Sequence, residues 1–145
     1  MASVPQDANV NKLPELPTYR GRSIGIAILA TAQMLIGGIH VFFGVLLLAF
    51  EDLSFFQATV AYDVYTVVFG IFVAVFAFFI WHGKKVGWVG TIAVLVFVSV
   101  ADTLALLDLP SIPGIPKAPA LAEIAYSLII ILYLFKRGVR KKFWS

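Results

Sequence analysis

Long apolar segments alternate with short polar stretches along the chain. Uncharged runs cover 23–50, 64–81 and 86–101, and a shorter one covers 124–135. A helix needs about 20 apolar residues to cross the hydrocarbon core of a bilayer. The pattern therefore predicts a transmembrane domain over 23–135 with helices at about 23–50, 62–82, 86–107 and 119–137. A polar leader, 1–22, is predicted before it and a basic tail, 138–145, after it.

Composition supports lipid as the surrounding medium. The chain has 145 residues, of which 61% are hydrophobic and 13% are charged, whereas soluble domains carry about 25% charged residues. A soluble domain of this size has too much surface for its volume to bury so many apolar side chains. The predicted fold class is all-α, a four-transmembrane-helix bundle in a lipid bilayer. The absence of cysteine excludes disulfides and thiolate chemistry.

Charge is segregated between the two sides of this topology. Only Lys117 of the eleven Lys and Arg residues falls on the side away from the termini. Cytoplasmic loops of membrane proteins carry an excess of Lys and Arg. Both termini are therefore predicted to be cytoplasmic, in a plasma-membrane protein. The residues placed inside are Lys12, Arg20, Arg22, Lys84, Lys85, Lys136, Arg137, Arg140, Lys141 and Lys142.

Prolines recur every three residues in the longest connector, between helices three and four. They occupy positions 110, 113, 116 and 119. Because polyproline II has three residues per turn, this spacing predicts a stiff, extended connector with the prolines along one edge.

The first helix carries small and polar residues on one face. Ala30, Gln33, Gly37, His40 and Gly44 are spaced by three and four residues, so they share that face. Small residues allow close helix approach in lipid, and a Gln can hydrogen-bond across the interface. Gly70, Ala74 and Ala77 form a similar stripe on the second helix. The face is either a packing seam or part of a polar path through the bundle.

Four ionisable residues are predicted near the outer ends of the helices: His40, Asp63, Asp102 and Glu123. Counting residues from the inner ends places Asp63 and Asp102 at the outer headgroups and Glu123 deeper, inside the bilayer. Tyr62, Tyr65 and Tyr126 are expected close by. The group is a candidate metal site or proton relay. The alternative is that the acids are interfacial and His40 is a packed core residue.

No catalytic motif is present, so neither an enzyme activity nor a cofactor is expected. The leading hypothesis is an accessory or scaffold subunit that packs against other transmembrane subunits or its own copies. The alternative is a small oligomeric transporter or channel with a polar path through Gln33, His40 and Glu123. The basic tail either binds anionic lipid or an acidic partner, or only sets topology. Nucleic acid binding is not expected.

Three further features occur from the second helix onward: a glycine-bearing second helix that ends in a Trp, Gly and basic turn, a Leu- and Tyr-rich last helix, and a Val, basic, Phe ending. They fall in 69–70, 81–88, 131–135 and 139–143. In these features, over helices two to four, the chain resembles a group of small, uncharacterised four-helix membrane proteins of archaea and bacteria. The resemblance implies a fold and a membrane location in prokaryotic cells, and it implies no activity and no site residue.

Overall fold

The computed structural model describes residues 18–19, 22–50 and 60–144 and is helical apart from one short strand pair. Strands β1 (Thr18–Tyr19) and β2 (Arg22–Ser23) pair antiparallel, with Thr18 opposite Ser23. The helices are α1 (Ile24–Ala49), α2 (Val60–Trp81), α3 (Lys85–Leu106), α4 (Lys117–Phe135) and α5 (Arg137–Trp144). Helices α1 to α4 are each long and apolar enough to cross a membrane, which fits a multi-pass membrane protein.

The fourth helix and the tail differ from the prediction. The fourth helix was expected over about 119–137, but α4 ends at Phe135, and the chain bends at Lys136, where ψ is 132°. The segment predicted as a basic tail forms the separate helix α5, whose Val139 and Phe143 are buried. These two residues are four apart, so both fall on one face of a helix and pack against the bundle.

The four long helices pack against one another in sequence order. Helix α1 packs most extensively on α2, and α3 packs on both α2 and α4. Helix α1 approaches α4 through side chains, as where Gly25 meets the Tyr133 side chain. We call the end that carries Lys84, Lys85 and α5 the basic end, and the end that carries Asp102 and Glu123 the acidic end.

Glycine allows the tight turn between α2 and α3 at the basic end. Gly83 has a positive φ of 66°, which residues with a Cβ atom rarely adopt. A Cβ atom at Gly87 would meet the backbone of Phe79 and Ile80. The turn therefore holds the start of α3 directly against the end of α2.

The α3–α4 connector is turned, so the prediction of an extended polyproline connector is wrong. Turns occur at 107–108 and 113–114, with positive φ at Asp108 and Gly114. The Ser111 hydroxyl donates a 2.7 Å hydrogen bond to the Ala101 carbonyl and folds the connector back onto α3. The last proline of the series, Pro119, lies in the first turn of α4, where a missing N–H breaks no helical hydrogen bond.

Most of the predicted leader and the link between α1 and α2 lie outside the described residues. Helix α1 ends at Ala49, two residues before the Glu51–Asp52 pair that was expected to end it. The other boundaries of the first three helices lie within two residues of the prediction, because charged residues or turns flank each apolar run.

Candidate functional site

An imidazole and a carboxylate meet between α1 and α4 near the acidic end. His40 Nε2 lies 3.6 Å from Glu123 Oε1, and each side chain is 23% exposed. On the other side of the ring, Nδ1 lies 2.8 Å from the Ile36 carbonyl oxygen. A carbonyl only accepts hydrogen bonds, so Nδ1 carries a proton. Nε2 therefore faces Glu123, at a distance somewhat longer than a hydrogen bond.

Asp102 extends this pair onto α3. Its side chain is 1% exposed and interacts with Glu123. Neither of its carboxylate oxygens has a hydrogen-bond donor among the described residues. We call these three ionisable groups from three helices, His40, Asp102 and Glu123, the ionisable cluster; His40 and Glu123 are 3.6 Å apart, and Asp102 makes no hydrogen bond to either of them.

Helix α2 contributes tyrosines to the same region. Tyr62 and Tyr65 both lie within electrostatic range of Asp102 and Glu123. The Tyr65 hydroxyl is buried and has no hydrogen-bond partner within the described part of the chain. The Phe69 ring fixes both neighbours, because it lies 5.2 Å from the His40 ring and 6.0 Å from the Tyr65 ring. All four transmembrane helices thus supply a polar group at this level.

The fourth predicted member, Asp63, is separate from the ionisable cluster. It is 7% exposed and lies where α2 packs closely on Gly44 of α1. Asp63 and Asp102 are both buried in the bundle, and their expected height at the outer headgroups stays a prediction. Among residues 18–19, 22–50 and 60–144, no three His, Cys, Asp or Glu side chains are arranged to hold a metal ion.

A second set of polar side chains lies in the bundle interior towards the basic end. Gln33 of α1 and Thr91 of α3 line the same narrow gap. Tyr126 of α4 lies beside Gln33, and Ser127 is 1% exposed. Their side-chain oxygens are buried without a hydrogen-bond partner among the described residues. Thr91 lies about 16 Å along α3 from Asp102, so polar groups occupy several levels of the interior.

The small residues predicted as a seam lie at the crossing of α1 and α2. A Cβ atom at Gly37 would lie 2.7 Å from the Gly70 carbonyl oxygen, and one at Gly70 would lie 2.9 Å from His40 Cβ. A Cβ atom at Gly44 would lie 2.6 Å from the Val67 side chain and 3.2 Å from the Asp63 carbonyl oxygen. The seam therefore sets the distance between α1 and α2, and with it the position of His40.

Sequence reasoning did not single out Thr91 and Ser127. Each continues the spacing of the buried residues on its helix, with Leu95, Val98 and Asp102 following Thr91, and Ile130 and Leu134 following Ser127. A search for isolated hydroxyl residues on the same helical face as an acidic residue would have identified both of them.

Comparison of the chain with protein-family models, curated proteins and solved structures found no match. The resemblance to small four-helix membrane proteins of archaea and bacteria therefore stays a prediction. The class that the helices support is a multi-pass membrane protein with an all-helical bundle.

Proposed function

We propose that this protein is a non-catalytic membrane subunit that relays protons through the interior of its four-helix bundle. The contact between His40 and Glu123, with Asp102 beside them, carries the proposal. An ionisable group inside a membrane bundle is costly, and such groups mark ion pathways and proton relays. Three of them from three helices are more than a single stabilising pair requires.

The interior favours protons over larger cargo. The gap lined by Gln33 and Thr91 is too narrow for a water molecule in this conformation, so hydrated ions do not pass it. Hydroxyl and imidazole groups both donate and accept hydrogen bonds and can hand a proton on. The oxygens of Thr91, Tyr126 and Ser127 are buried and unpaired among the described residues, so the proposed relay requires these side chains to turn towards one another or a water molecule to enter between them.

The proposed orientation places the basic end in the cytoplasm, with both termini on that side of the cell membrane. The exposed cations of the basic end support it, because Lys and Arg are retained on the cytoplasmic side. The ionisable cluster then lies in the outer half of the membrane, and the proton path runs inward from it.

Proton flux in liposomes tests the relay. The full chain is reconstituted around a trapped pH-sensitive dye, and a potassium gradient with valinomycin drives proton entry. Wild-type protein is expected to acidify the interior faster than protein-free liposomes do. Glu123→Gln is expected to return the rate to the protein-free level, since the amide cannot exchange a proton with His40.

Asp108→Asn is the matched control for Glu123→Gln. Asp108 is an exposed carboxylate in the α3–α4 connector and is paired with Lys117 at 2.8 Å. This variant is expected to keep the wild-type flux. A wild-type rate equal to that of protein-free liposomes would rule out the relay, and so would full activity of Glu123→Gln.

A scaffold role in a larger complex is the second candidate, and a groove between α2 and α3 favours it. The groove has a volume of about 660 Å³. Its lining is almost wholly apolar and includes Val68, Ala93 and Phe97. The Phe76 ring covers Gly90, so Ala93 is the small residue at which a further helix can approach closely in lipid. A transmembrane helix of a partner subunit fits this shape.

Site-specific photo-crosslinking in cells tests the scaffold role. A photoreactive phenylalanine analogue at Phe97, which lines the groove, is expected to give one discrete protein adduct, identified by mass spectrometry. The same analogue at Phe43 is the control, because Phe43 is similarly exposed, 52% against 59%, and lies outside the groove. Adducts with lipid alone at both positions would contradict a partner helix in the groove.

A further inference from the structure

The basic end carries a dense set of unpaired cations. Two come from the α2–α3 turn and the start of α3, and five from the bend after α4 and from α5. None of them forms a salt bridge within the described residues, where the ion pairs are His40–Glu123 and Lys117–Asp108. The basic surface consists of Lys84, Lys85, Lys136, Arg137, Arg140, Lys141 and Lys142, all exposed.

Helix α5 holds its cations at the end of a membrane span. It begins at Arg137, directly after the bend that ends α4. Val139 and Phe143 are 8% and 5% exposed and belong to the same core cluster as Trp88 and Leu134. An amphipathic helix with an apolar anchored face and a basic outer face is typical of the membrane interface.

Trp144 contacts cations from both parts of the basic surface. The Lys85 Nζ lies 3.4 Å from the Trp144 ring centroid, and the Arg140 guanidinium carbon lies 5.8 Å from it. The Trp144 ring also meets the edge of Trp88 at 5.8 Å, and Trp88 Nε1 donates a 3.1 Å hydrogen bond to the Leu134 carbonyl. Lys85 of α3 and Arg140 of α5 therefore lie side by side against the Trp144 ring.

We infer that the basic surface binds the phosphate headgroups of anionic phospholipids, a binding role separate from the proton relay. Charge complementarity supports this occupant, since no acidic side chain of the described residues neutralises the surface. Its position supports it too, because clusters of four to eight Lys and Arg directly beside a transmembrane helix bind anionic lipids. Trp144 and Tyr133 supply the aromatic groups usual at headgroup level.

Lipid retention tests this inference. The full chain, purified in a neutral detergent, is mixed with equal amounts of phosphatidylglycerol and phosphatidylcholine and purified again. Bound lipid is then measured by mass spectrometry. Wild-type protein is expected to retain phosphatidylglycerol selectively. The triple variant Arg140→Gln, Lys141→Gln, Lys142→Gln is expected to bind it more weakly, by about fivefold per neutralised charge at low salt.

Lys117→Gln is the control, because it removes one exposed cation at the acidic end and is expected to leave selectivity unchanged. The triple variant keeps Lys84, Lys85, Lys136 and Arg137, so four cations still favour the original orientation. Equal retention of the two lipids by wild type overturns the inference, as does unchanged selectivity in the triple variant. Displacement of phosphatidylglycerol by an equal concentration of inorganic phosphate would assign the surface to free phosphate instead.

Discussion

Gly37→Val is expected to lower the free energy of unfolding by about 3 kcal/mol, as overpacking of a tight interface does. A Cβ atom at Gly37 would lie 2.7 Å from the Gly70 carbonyl oxygen and 2.8 Å from the Ala74 nitrogen. Both are backbone atoms, which cannot rotate away as a side chain does. Helix α1 must therefore move off α2, and His40, one turn along α1, moves with it.

Gly38→Val is the matched control for Gly37→Val. Gly38 is the next residue on the same helix, and nothing lies within 4 Å of a Cβ atom there. The chemical change and the effect on helix propensity are the same at both positions, so the difference in stability reports the α1–α2 contact. Unfolding of both variants in mixed detergent, followed by tryptophan fluorescence, measures it. Equal midpoints for the two would show that the glycine crossing does not set the helix distance.

The candidate membrane spans were predictable from the sequence because a helix needs a long uncharged segment to cross the hydrocarbon core of a bilayer. Each run of apolar residues ends at a charge or a turn, and the first three helices start and stop accordingly. The small residues at Gly37 and Gly70 were also visible, since spacing alone places them on one face. The contact between these two glycines could not be predicted from either helix alone, because it depends on the rotation of both helices about their long axes.

Rotation is also the reason that the site was only partly predicted. Counting residues gave approximate heights for Asp63, Asp102 and Glu123, and it gave no information on which way each side chain faces. Helix α3 is apolar on all sides, so hydropathy did not show that Asp102 is turned inward. Asp63 has a similar height but packs at Gly44, apart from the ionisable cluster. The prediction of an extended connector was wrong for a different reason. Turns at Asp108 and Gly114 interrupt the polyproline conformation that the spacing of the prolines predicted.

Replacing one member of the His40–Glu123 pair by Leu is expected to destabilise the bundle, whereas replacing both is expected to restore its stability. His40→Leu leaves Glu123 beside Asp102 without its imidazole partner, and loss of one partner of a partly buried polar pair costs about 2 kcal/mol. The double variant His40→Leu, Glu123→Leu replaces the pair by apolar side chains, a change that is often neutral or stabilising in protein interiors. Unfolding in mixed detergent for both single variants and the double variant completes the cycle.

The double variant separates a structural pair from a working one. If the pair only holds α1 against α4, the stable double variant behaves as wild type in every assay. If the ionisable cluster relays protons, the double variant is as stable as wild type and yet conducts no protons in liposomes, because both other ionisable members of the cluster are then gone. Asp108→Asn removes an exposed carboxylate from the connector. Its proton flux is the reference for the loss of one acidic side chain outside the ionisable cluster. A stable double variant that still conducts protons at the wild-type rate would remove the ionisable cluster from the path.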